Sequence, residues 1–475
     1  MERTPSARAR PSRALAAKPG AEIFHRPPRD WPEPAPSDDL RIHAPPTKPE
    51  PPTGGMIHAM FPAIGSFGLV AFALVYNNKL FLYIAMGLVC LSILLAVLIR
   101  WSQNRSVKKR RKRNRRKYRM YLTRVERDLA RDAGAQLAAA DRLYPDHEKL
   151  WAMAMSRASL WERRASDGDF LELRVGRGRV PHSRPVRLEI GDDPLAEREL
   201  DLEDEASTVR RRWERVNDVP VTVDLRDARV VTVVGAAEPA RGLARSLVSQ
   251  LSVFRAPDDV RVLASYKPPA AADWEWIKWL PHARAEVRAR QDAPDLLPPP
   301  ILLASSEESL GRLLEGEIGP RLEQLARLDE ENLTSGRRRL AAPHLVLFVD
   351  GWSPDSAAAR MPLMREVLER GDRLAVTAVL LADSTASEPS EADIRIVLSP
   401  GAAAAVEERR GEGGRAEGVW PDSADLGLCE AIARTLAPLR LEDRESGPAS
   451  ADEVRALDLL GVRSAAEVDP AAGWR

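Results

Sequence analysis

A strand–glycine–helix junction near the middle of the chain is where phosphate chemistry would sit. Val230-Val231-Thr232-Val233-Val234 is an apolar, β-branched run ending in Gly235, and a helical pattern follows over 240–253. A phosphate loop in such a place reads G-x-x-x-x-G-K-[ST]. Its glycines let backbone amides close on phosphate, its lysine meets the β and γ phosphates, and its hydroxyl holds Mg2+. After Gly235 come Ala236, Ala237, Glu238 and Pro239. Ala240 then stands in the second glycine's place, Arg241 in the lysine's and Gly242 in the hydroxyl residue's. Glu238 adds negative charge where phosphate would lie, and Pro239 removes an amide donor. Gly235 and the charge on Arg241 are the remnant of a degenerate loop, so conventional ATP binding is not expected there.

A second apolar run, 344–351, ends in Asp350 and resembles a Walker B strand, whose acid holds Mg2+. Gly351 follows, where a catalytic acid would be expected. An acid closing a buried strand is also common without any such role. Two readings therefore stand: an ATPase fold that has lost its chemistry, or an α/β domain never related to one. No catalytic residue, cofactor or metal ligand is assigned in this chain. The seven histidines show no H-E-x-x-H and no i, i+4 pair. Cys90 and Cys429 are far apart, one in an apolar run and one in a helical stretch, which suits a reducing compartment and two thiols acting as small apolar residues.

The elements around these residues alternate. Strand patterns at 221–225, 230–235, 260–265, 344–351, 375–382 and 394–398 are separated by helical patterns at 240–253, 306–330 and 358–370. Apolar strands interleaved with helices imply a parallel sheet covered on both faces. This α/β domain is taken as 221–475. Ahead of it, 101–220 reads as a basic segment and helical stalk, with short strands at 170–175 and 185–190 and a charged helix at 201–216.

Residues 56–76 and 80–99 are apolar runs long enough to cross a bilayer, separated only by Asn77, Asn78 and Lys79. They predict a transmembrane hairpin over 56–100. The dense Lys/Arg run over 100–119 places the following chain in the cytoplasm, and two crossings place the N-terminus there too. The run has three readings: an anchor on anionic lipid, a nucleic-acid contact, or a solvated helix face. The first is the default, and no nucleic acid is expected because few aromatics are interleaved. Residues 1–55, rich in Pro, Arg and Ala, read as a disordered tether or a ligand for a partner's groove. A cleaved signal peptide is excluded, since the first apolar run starts too late.

Several local sequences resemble the EccC family, the FtsK/SpoIIIE-like membrane ATPases of type VII (ESX) secretion. They are Phe24-His25-Arg26-Pro27-Pro28-Arg29, Leu143-Tyr144-Pro145-Asp146, Ser159-Leu160-Trp161-Glu162-Arg163-Arg164, Asp169–Gly176, Ala256-Pro257-Asp258-Asp259-Val260-Arg261-Val262 and Trp274-Glu275-Trp276-Ile277-Lys278-Trp279-Leu280-Pro281-His282-Ala283. The tryptophans of the last string suit a packed helix or a partner surface. The resemblance implies a membrane-anchored α/β protein: a hairpin, a stalk and a degenerate RecA/FtsK-like parallel-sheet ATPase domain. It implies a structural and coupling role in a bacterial cell-membrane complex. Its partners would be EccB-, EccD- and EccE-like subunits, an ATPase motor chain or domains, anionic lipids and further copies in an oligomer. ATP would belong to motor domains outside this chain, which stops about where the first would begin. The rival readings are an FtsK-like DNA translocase and a membrane-tethered adaptor.

Overall fold

The structure, a computed structural model, describes residues 22–48, 79–189, 199–285, 299–331, 339–399, 401–409 and 415–441. The N-terminal elements are β1 (Glu22–Phe24), β2 (Leu40–Ile42), α1 (Lys79–Leu143) and α2 (His147–Ser156). Next come β3 (Glu172–Pro181), β4 (Val186–Leu188), α3 (Leu200–Trp213), β5 (Arg215–Asp224), β6 (Val230–Val234) and α4 (Ala237–Phe254). β7 (Val260–Ser265), β8 (Leu303–Ala304), α5 (Glu307–Glu317), α6 (Gly319–Glu331), β9 (His344–Trp352) and α7 (Pro362–Leu374) follow. The last are β10 (Val376–Ala382), β11 (Ile394–Val397), β12 (Ala404–Glu408), β13 (Arg415–Pro421), α8 (Leu426–Leu436) and β14 (Leu439–Leu441). Contacts divide the chain into two compact units.

The first unit comprises 1–32, 141–178 and 220–475. Its core is a sheet of order β5-β3-β13-β12-β11-β6-β10-β9-β7-β8. The run from β11 through β8 is parallel, as the continuous apolar strands require. β6 and β10 are buried along their whole length. The sheet is nevertheless mixed. β11, β12, β13 and β3 pair antiparallel, an extension that periodicity did not announce because β12 and β13 carry charged residues and no continuous apolar run. The single helix expected over 306–330 is two, parted at Ile318.

The expectation of disorder over 1–55 is corrected for residues 22–48. β1 pairs in parallel with β14, and Phe24 meets the Trp161 ring edge-on, 5.3 Å between centroids. Arg26 pairs with Asp259 at 2.6 Å, and Arg29 with Asp167 at 2.8 Å and Asp169 at 2.5 Å. Burial works against the charge on Arg29, but the two carboxylates outweigh it and raise its pKa. The prolines that read as a tether thus belong to a strap whose ring and charges are spent inside the unit. Residues 1–21 and 49–55 lie outside the described residues.

The second unit comprises 33–140 and 179–219. Here α1 is one uninterrupted 65-residue helix. No proline or glycine falls between Leu88 and Ala133 to kink it. Tyr118, Leu122, Val125 and Leu129 form its apolar seam and pack on Leu202, Ala206 and Val209 of α3 and on Ile42 of β2. Beside the seam, Arg111 bonds Glu199, Arg115 bonds Asp201, and Arg119 pairs with Glu205 at 2.6 Å. β2 and β4 form a short parallel pair. Among the described residues one helical stretch, Met86–Leu143, has a window apolar enough to cross a membrane, with mean hydropathy 1.8 and no protein cover. Leu91, Ile93, Leu94, Leu95, Val97 and Leu98 are all exposed. The other expected span, 56–76, lies outside the described residues, so of the expected hairpin only the second helix is described.

Candidate functional site

The junction after β6 is built as its residues dictate. Gly235 has φ +152°, and a Cβ there would fall 2.8 Å from the Leu398 carbonyl oxygen, so only glycine makes the turn. α4 then begins at Ala237, earlier than the sequence pattern suggested, because Pro239 falls in the first turn, where no intrahelical amide bond is lost.

The structure brings the loop remnant and the Walker-B-like acid together and joins them. Arg241 Nε donates to Asp350 Oδ2 over 2.7 Å, and its Nη1 lies 3.3 Å from Asp273 Oδ2. Trp274 Nε1 donates to the same Asp350 oxygen over 2.8 Å. Asp350 is only 8% exposed. Burial opposes the charge on Arg241, yet Asp350, Asp273 and Glu238 outweigh it and hold the guanidinium above its ordinary pKa.

A second arginine extends the network. Arg245 donates to Asp273 over 2.8 Å, to Glu238 over 2.8 Å and to the Ala424 carbonyl over 3.0 Å. Glu238, which sequence reading set against phosphate, is therefore a partner for Arg245. Gly242 has a packing reason. A Cβ there would fall 2.3 Å from Ser423 Oγ, and the Ala424 amide donates to the Gly242 carbonyl over 3.0 Å. The loop before α8 thus lies on the position where a phosphate loop keeps its hydroxyl side chain. Lys267 Nζ comes within 3.9 Å of where a Gly351 Cβ would be.

Asp273, Arg245 and Ser423 were not singled out by sequence. Trp274 was, as one of the tryptophan string, and it is core together with Trp276. Trp279 is half-exposed, under the Arg434 guanidinium at 4.6 Å. Cys429 is buried in α8 near Ser249, and burial pushes its thiol up to about 11, so it behaves as a packing residue. Cys90 is exposed on the apolar part of α1. Among the described residues no His/Cys/Asp/Glu cluster could hold a metal.

The comparison that decides kinship covers nearly the whole chain. It is 29% identical over 469 residues, 95% of its length, to the ESX secretion system protein EccC of Thermomonospora curvata. The chain is homologous to the EccC proteins. It spans 33% of that relative. It is also 31% identical over 250 residues to the ESX-3 secretion system protein EccC3 of Mycobacterium tuberculosis, covering 52% of this chain and 17% of that one. Among solved structures, the cytoplasmic domain of the T. curvata type VII secretion ATPase EccC aligns with 62% of this chain and 34% of that one. The identity there is 14% and the TM-score 0.35, a likeness that carries no functional argument. No family model matches.

Proposed function

We propose that this EccC homologue is a membrane-anchored scaffold and coupling component of a type VII (ESX) secretion complex, its α/β unit a pseudo-ATPase of RecA/FtsK type. The Arg241–Asp350 ion pair carries this reading. The cation that would meet phosphate and the acid that would hold Mg2+ neutralise each other, and Trp274 donates to the same carboxylate oxygen that Arg241 binds. Opening the site for a triphosphate means breaking a half-buried pair, with Glu238 and Pro239 offering repulsion and no amide in return. ATP and motor work then belong to domains or chains beyond this one. EccB-, EccD- and EccE-like subunits and further copies of this chain are the expected partners.

In this reading the apolar part of α1 crosses the cell membrane, pairs with a first crossing at 56–76, and leaves both termini in the cytoplasm. Anionic headgroups meet the start of the basic run. The test is Mg·ATP binding and turnover by the full chain in nanodiscs. We expect no turnover and no binding at micromolar nucleotide, with Asp350→Asn indistinguishable from the native chain in both. Turnover abolished by Asp350→Asn would overturn the reading.

A further inference from the structure

The basic run on α1 serves two faces with different tasks. Arg111, Arg115 and Arg119 are tied to the acids of α3, on the side of the helix that carries Tyr118 and Leu122. At about 100° per residue, Lys109, Arg113, Arg116 and Lys117 fall on the opposite side. All four are exposed, and none has an ion-pair partner among the described residues.

Lipid cannot neutralise the distal part of this second stripe. This step rests on the proposal that the lipid-crossing part of α1 ends at Ile99. The helix continues without a break, so at 1.5 Å per residue Lys109 stands about 15 Å past Ile99, Arg113 about 21 Å and Lys117 about 27 Å. Headgroups occupy roughly 5–8 Å beyond the hydrocarbon, and charges are screened over about 8 Å more. A tilt of 40° still leaves Arg113 about 16 Å out. Arg100, Arg105, Lys108 and Lys109 are within reach of headgroups, Arg113 meets the outer edge of that zone only at this extreme tilt, and Arg116 and Lys117 stay beyond it. A second copy of α1 would bring the same charges and be repelled. No aromatic ring lies on the stripe for bases to stack on, since Tyr118 is buried and Tyr121 turns to His43 at 5.7 Å. On its other side the same helix already shows what such a ladder takes: an acidic helix, with Glu199, Asp201 and Glu205 meeting arginines at i, i+4 and i+8.

We infer that Arg113, Arg116 and Lys117, continued at the membrane end by Lys109, form a docking stripe for an acidic helical segment of a partner protein, carried away from the membrane by the rigid helix. The test uses the full chain in nanodiscs containing headgroup-chelated Ni2+, with spin labels on Ser102→Cys or Arg113→Cys in a Cys90→Ala background. In parallel, binding of a synthetic alanine-rich helical peptide with glutamates at i, i+4 spacing is measured. The native chain is compared with Lys109→Glu/Arg113→Glu/Arg116→Glu and with a membrane-proximal control, Arg105→Glu/Lys108→Glu. Circular dichroism checks that helicity is retained, and the triple Gln variant repeats the measurement with milder charge change.

We expect fast relaxation at 102 and not at 113. Peptide affinity should fall about tenfold in the triple reversal, less in the Gln variant and little in the control. Equal relaxation at 113 would give the stripe to lipid and overturn the inference. So would peptide binding untouched by the reversal, or duplex DNA bound more tightly than the peptide and lost in the same variant. Slow relaxation at 102 would instead move the membrane boundary, defeating the underlying span reading and the distance argument with it.

Discussion

Single side chains decide whether the cradle after β6 is an engine part or a joint. Arg241 and Asp350 sit on different layers, and each satisfies the other. Replacing Arg241 by Ala leaves Asp350 buried with only Trp274, and we expect about 2 kcal/mol of lost stability, below the range for fully buried pairs because Arg241 is partly exposed. Asp350→Ala should cost a similar amount, and the double variant about 1–2 kcal/mol less than the sum. Urea denaturation of the four proteins checks this.

His282 gives the pH dependence. Its Nε2 donates to the Arg255 carbonyl over 2.7 Å, and Nδ1 is buried with no partner, so a proton there has no acceptor. Burial drives its pKa down to about 4. The unfolded chain takes up that proton at about 6.5 and the folded chain only near 4, so stability is full above 6.5 and falls as the pH drops from 6.5 to 4. The loss from this residue is roughly 3 kcal/mol. Burial lowers His344 in the same direction, adding slope of the same sign. His282→Gln, which keeps a donor for Arg255, should flatten but not abolish the decline of denaturation midpoint with pH.

Elements were legible from sequence in proportion to how much apolar strand they spend. β6, β9 and β10 are nearly continuous apolar runs, and the strand pattern foresaw each. β1, β2 and β14 are three-residue strands whose partners lie far along the chain, and no periodicity can report them. Composition misled at the strap. Pro27 and Pro28 signal an open chain, whereas Arg29 is fixed by Asp167 and Asp169 more than a hundred residues later. The candidate site was half legible. Gly235, Arg241 and Asp350 were visible because a phosphate loop has a spacing to be measured against. Asp273 and Ser423 were not, because their roles arise from a helical turn and a loop brought in by tertiary folding.

Two outcomes belong to this scale. Arg29→Ala should free β1 from β14 and raise hydrogen exchange in both strands without changing exchange in β9. Leu202→Ala, in the seam between α1 and α3, should cost 2–5 kcal/mol within its own unit, read by the protease susceptibility of α3.

For the whole molecule, the decisive element is α1, which carries a bare apolar surface and a packed, charged seam in one helix. Leu91→Arg/Leu95→Arg puts two cations near the middle of the apolar stretch, at about 2.5–3.5 kcal/mol each for insertion. The native chain is expected in the carbonate-washed membrane fraction, and the variant is expected to be lost from it. The helix has no hinge, and this fixes angular phase as well as distance. One alanine inserted after Ser102 would swing everything downstream by about 100° around the axis while advancing it only about 1.5 Å. Seven inserted residues would return the azimuth to within about 20°. A partner that reads the rod's bearing should tolerate the long insertion better than the short one.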